Sequence, residues 1–168
     1  GEPAHTAARA GHRDDLQWLL GCLKDGSPLR IDCGSRVDHA DPQGRVWSRD
    51  RFYVGGWTET GQNREVSPLL QSEEDREEFT GEIHGAPYDR PYRAARHFPR
   101  LLPDSGYRIP LPAGRYRVAL HFADLRYPHP GRRRFDVFLE NEKVLSDYAP
   151  NKVGFATVDI HAFATDVS

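Results

Sequence analysis

Among the residue types that can do chemistry, the carboxylates come first. Asp124 and Asp136 flank a Pro- and Arg-rich stretch, and two such groups set face to face are what glycoside hydrolysis needs, one as acid and one as base or nucleophile. The other catalytic patterns are missing: no Gly-x-Ser-x-Gly elbow, no glycine-rich phosphate loop and no His-Glu-x-x-His pair. Eight histidines are scattered, and none has a second ligand at helical or strand spacing. Cys22 and Cys33 are too few for a disulfide framework and lack the second pair that a structural zinc site would use, so both read as buried or half-buried thiols. The run Glu73-Glu74-Asp75-Arg76-Glu77-Glu78 concentrates charge, but nothing in its pattern aims the carboxylates at one point, and it reads as a solvated turn or loop. No cofactor and no metal are expected.

Bulk properties narrow the partners. With a net charge of −2, the whole-chain field does not favour nucleic acid. Arg132-Arg133-Arg134 follows Gly131 in a loop without the aromatic interleaving of a nucleic-acid groove, so it reads as a solvated edge, and no nucleic acid is expected. No apolar run approaches the roughly 18 residues of a membrane span, so membrane insertion is not expected either. The sequence opens without a basic-then-apolar leader pattern, which leaves secretion open.

The elements that must position any site are short and alternate with period two, as strands with one buried face do. Tyr116, Val118, Leu120 and Phe122 share one face while Arg115, Arg117 and His121 share the other. Phe135, Val137 and Leu139 oppose Asp136, Phe138 and Glu140 in the same way, with Asn141-Glu142 as the tight turn before Val144-Leu145. Leu29 to Cys33 reads as a first strand, and Val158, Ile160, Ala162 and Ala164 alternate in the last. Gly- and Pro-rich turns separate these segments, which indicates an all-β, jelly-roll-type β-sandwich over residues 29–168.

The order of these signals resembles the malectin and malectin-like family. Trp47, Asp50 and Gly55-Gly56 stand in the family's sequence of aromatic, acid and paired glycine. Tyr92-Arg93-Ala94-Ala95-Arg96 is similar to its Tyr-x-Thr-x-Arg strand, with Ala94 in the Thr place. Ala119 to Asp124 resembles its strand ending in Phe-Ala-Glu, between Ile31-Asp32-Cys33-Gly34 upstream and Val144-Leu145-Ser146-Asp147 downstream. The resemblance implies a non-catalytic domain that binds carbohydrate, and it gives Asp124 a loop hydrogen-bonding role as an alternative to catalysis. A pyranose offers one apolar face and a rim of hydroxyls, so its site needs aromatic rings and a few polar groups. Carried across position by position, the family's aromatic pair falls on Arg126-Tyr127, one tyrosine falls on His97 with Phe98 beside it, and an earlier tyrosine lies nearest to Trp57. The expected ligand-binding set is therefore Trp57, His97, Phe98, Arg126 and Tyr127. Diglucose specificity is not implied, because one ring of the pair has become a cation and the family's C-terminal Asp has no counterpart before Ser168.

Residues 1–28 read as a separate helical segment. Pro3, His5, Ala7, Ala8, Arg9, Gly11, His12, Leu16, Leu19 and Leu20 resemble the spacings of one ankyrin repeat, in which two short helices meet at a Gly-His turn. The alternative is a helical hairpin that caps the β-domain. Family members continue beyond the last alternating segment with a further hairpin, so an open sheet edge is expected, filled by a protein partner, a second copy or the helical segment. Two functions remain in view: recognition of a glycan or other polyol ligand, or a protein-protein interaction module of a larger intracellular (cytoskeletal, motor or signalling) protein. The ankyrin-like segment favours an intracellular setting, and the malectin-like resemblance favours the secretory pathway.

Overall fold

The computed structural model describes residues 3–60, 79–98 and 104–168. The charged run Glu73-Glu74-Asp75-Arg76-Glu77-Glu78 lies outside them. The chain divides into two compact units, one of Gly1–Leu69 with Ala94–Ile109 and one of Leu70–Arg93 with Pro110–Ser168. Among the described residues strands dominate, joined in five two-stranded antiparallel sheets, with one α-helix. No helix among the described residues is long and apolar enough to cross a membrane.

The first unit opens with α1 (Pro3–Asp25). A helical hairpin broken near Gly11 was expected, and the structure corrects this to one continuous helix. An interior glycine costs a helix only about 1 kcal/mol, and Gly11 is absent from the positive-φ positions. The stop comes at Gly26, whose φ of 65° permits a Schellman closure: the Ser27 amide donates to the Cys22 carbonyl and the Gly26 amide to that of Leu23. Leu19 is buried, and Trp18 packs against Phe52 with ring centroids 6.4 Å apart. Arg51 fixes this contact. Its guanidinium lies 5.1 Å from the Trp18 ring and donates to Asp14 and Asp15, each at 2.8 Å.

Short strand pairs complete the unit: β1 (His39–Ala40) with β2 (Val46–Trp47), β3 (Tyr53–Val54) with β6 (Gly106–Tyr107), and β4 (Trp57–Thr60) with β5 (Ala94–His97). The strand expected over Leu29–Cys33 is reduced to one parallel bridge between Ile31 and Ser48. Its neighbourhood is polar: Asp32 and His39 are buried together at 2.8 Å.

The second unit is built from longer strands, β7 (Gly114–Phe122), β8 (Phe135–Leu139), β9 (Glu142–Tyr148) and β10 (Asp159–Val167). The faces expected for β7 and β8 are the ones observed, with alternate residues half-buried. Two details differ. The β8–β9 turn is Glu140-Asn141, because Leu139 pairs with Glu142 and both turn residues have positive φ, 46° and 66°. In β10 the alternation is inverted: Ile160, Ala162 and Ala164 face outward, while His161 and Phe163 lie on the half-buried face. The register with β7 sets His161 opposite Leu120 and Phe163 opposite Val118. The inward ring of His161 then meets Tyr148 edge-on at 5.1 Å, which favours this face over an aliphatic one.

Candidate functional site

Trp57 and His97 come together in the first unit through the β4–β5 pairing, and Phe98 is the next residue along the chain. Trp57 lies directly opposite His97, and their rings stack 5.8 Å apart at 18°. Phe98 follows at the end of β5, 38% exposed, with its ring edge-on to Tyr107 at 5.6 Å. The glycine pair before β4 makes the approach possible. Gly56 has φ 76°, and a Cβ there would stand 2.5 Å from the His97 carbonyl oxygen and 3.0 Å from the Phe98 ring. Only glycine fits.

Beneath these rings lies a charged network. Asp50 is buried and accepts from Arg96 Nε at 2.6 Å and from the Tyr107 hydroxyl at 2.9 Å. Arg96 Nη1 donates to the Gly55 carbonyl at 3.1 Å, and its guanidinium carbon sits 3.5 Å from the centroid of Tyr53. One cation thus ties the glycine turn, the acid and an exposed tyrosine together. Burial, then the nearby Cys33 and Asp50, pushes the Tyr107 phenol up, so it stays a proton donor to Asp50. Cys33 is exposed as a residue, but desolvation pushes its thiol up to about 11. Cys22 is half-buried, and both cysteines are free.

Arg126 and Tyr127 belong to the second unit, in the loop between β7 and β8. Asp124 is fully buried, and its Oδ1 accepts from the amides of Arg126 and Tyr127 at 3.0 and 3.1 Å. That is the loop role, an Asp side chain capping its own turn. Asn151, also buried, donates from Nδ2 to the carbonyls of Tyr127 and His129 at 2.8 and 2.9 Å. Two guanidinium carbons, those of Arg126 and Arg133, lie 5.6 and 5.4 Å from the Tyr127 centroid.

This arrangement does not suit acid-base hydrolysis. Asp124 is closed to solvent, and Asp136 is held below its ordinary value by Lys143, 2.6 Å away, and by the Asp147 amide. A glycosidase acid needs its proton held up to near neutrality. Among the described residues no cluster of three or more His, Cys, Asp or Glu could hold a metal. Sequence reading passed over Asn151 and Tyr53, whose roles depend on contacts distant in sequence. Asp50, Gly55-Gly56 and Arg96 were visible as a recurring pattern, though not as one network.

A family model described as Malectin domain matches residues 27–160. No curated protein and no solved structure matches the chain.

Proposed function

The chain belongs to the malectin domain family, and from that premise we propose that it is a non-catalytic carbohydrate-binding domain whose saccharide stacks on Trp57, His97 and Phe98. In the second unit Arg126 and Tyr127 offer a separate contact of one ring and one cation. The jelly-roll sandwich over residues 29–168, with residues 1–28 as an added helical segment, is the scaffold this reading expects.

The observation that carries it is the glycine-made turn beside which the stacked Trp57–His97 pair and the Phe98 ring are held at one strand end. Gly56 lets the Phe98 ring and the β5 backbone come within a contact that any side chain would block. A fold has no need of such closeness merely to bury Phe98, which stays 38% exposed. A ring at a strand end that remains open to solvent, as Phe98 does, suits the C–H face of a pyranose. Arg96 and the paired Trp57–His97 rings limit reorientation, so little ordering entropy is lost on binding.

A glycan array tests this. Signal on a defined glycan that falls tenfold or more in Trp57→Ala is the expected result. An array blank for every sugar, with a folded protein, contradicts it and leaves the protein-interaction reading.

A further inference from the structure

The segment around Tyr127 is rich in arginine. Residues 123–134 contain Arg126, Arg132, Arg133 and Arg134 against the acid Asp124, +3 along the sequence and +2 once Asp147, the partner of Arg134, is counted. Asp124 is buried and engaged with backbone amides, and Arg133 reaches it only at 4.0 Å. Arg134 is paired with Asp147. Arg132 is exposed, and no ion pair is found for it among the described residues.

The positions of Arg126 and Arg133 alter what the Tyr127 ring can accept. With both guanidinium carbons within 6 Å of the ring centroid, a neutral sugar that stacks there must displace a cation and lose a cation–π contact. An acidic sugar that stacks there displaces the same cation but gives it a charged partner. Its carboxylate or sulfate accepts charge-assisted hydrogen bonds from the same guanidinium groups, in the fork geometry arginine offers. The Asp124 and Asn151 bonds hold the loop backbone in place, so the cations are presented from a fixed base.

We infer that the Arg126–Tyr127 subsite of the second unit selects acidic saccharides, those carrying a carboxylate or a sulfate ester, over neutral ones. The inference rests on the carbohydrate-binding reading above and names the ligand class for one part of it.

Calorimetric titration of the full chain at low salt tests it, with three oligosaccharides of matched length: a heparin-derived sulfated one, an oligogalacturonate and a neutral cello-oligosaccharide. At least one acidic ligand is expected to bind about tenfold or more tightly than the neutral one, and to weaken as salt rises. Whichever acidic arm binds distinguishes sulfate from carboxylate. Arg133→Gln and Arg126→Gln each reduce that affinity about tenfold at unchanged melting temperature. Should either lower the melting temperature, Arg132→Gln, at an exposed position, takes its place. Equal affinity for neutral and acidic ligands overturns the inference and leaves the carbohydrate reading standing. Equal binding of a single-stranded oligonucleotide of the same charge also overturns it, as generic polyanion attraction. Failure to bind any oligosaccharide, neutral or acidic, overturns both.

Discussion

Asp50 and Arg96 decide whether the aromatic surface exists. Their side chains are 4% and 7% exposed, and removing one member of such a pair leaves a buried charge unmatched. Arg96→Ala is therefore expected to destabilise the fold by about 3–5 kcal/mol in urea titration. Tyr107→Phe, which removes one donor to the same carboxylate, costs about 1.5–3 kcal/mol. A loss in Arg96→Ala no larger than in Tyr107→Phe contradicts the network. Gly56→Ala acts on geometry instead: the new methyl collides with the His97 carbonyl at a φ of 76°, so sugar binding is lost along with at least about 1 kcal/mol. At this scale the sequence was partly legible. Residue types marked Asp50, Gly55-Gly56 and Arg96, but their meeting depends on tertiary placement that no local pattern encodes.

Strands obey the same logic one level up. The faces of β7 and β8 were legible because Tyr116-Val118-Leu120-Phe122 and Phe135-Val137-Leu139 put large apolar groups on one side and charge on the other. In β10 the side chains are Ile, Ala, Ala and Asp on one face and Asp, His, Phe, Thr and Val on the other. Hydropathy alone favours the wrong face, and the aromatic contacts of His161 with Tyr148 and Phe122 decide. Helix α1 was misread for a similar reason: Gly11 suggested a turn, but a glycine only weakens a helix. The Glu140-Asn141 turn keeps a glutamate at φ 46°, where a bulky L-residue is strained. Replacing the pair with Asn-Gly, suited to positive φ at both positions, is expected to raise stability by about 0.5–1 kcal/mol, read as a higher urea midpoint. A lower midpoint contradicts the turn assignment. For α1, Arg51→Ala removes the donor shared by Asp14 and Asp15 and the cation over Trp18. Faster amide exchange along the helix is expected in that variant, and unchanged exchange contradicts the docking described.

Across the whole molecule, charge pairing sets the pH response. Asp14 lies below its ordinary 3.8 through hydrogen bonds from Arg51 and Arg49, Asp136 through Lys143, and Asp147 through Arg134. Each folded value is below the unfolded one, so this stabilisation is complete above pH 3.8 and is lost as pH falls through the folded values. Although His121 lies on the exposed face of β7, desolvation of its ring, which contacts the Tyr92 hydroxyl, holds it below 6.5. Folding therefore disfavours its protonated form, and stability starts to decline once pH drops below 6.5. The thermal midpoint should be level above pH 6.5, decline gently towards 3.8 and fall steeply below it; a rise on acidification across that middle range contradicts the scheme. Family membership was legible at this scale because the recurring motifs are spread over most of the chain, whereas the ligand was not, since Arg126 stands where the family has a ring. The central claim, a saccharide stacked on the glycine-set rings of the first unit, is tested most directly by NMR of the indole N–H signals of Trp18, Trp47 and Trp57 during titration with the best glycan from the array. The account predicts a saturable shift of the Trp57 signal with those of Trp18 and Trp47 unmoved. A Trp57 signal that stays in place at saturation contradicts it.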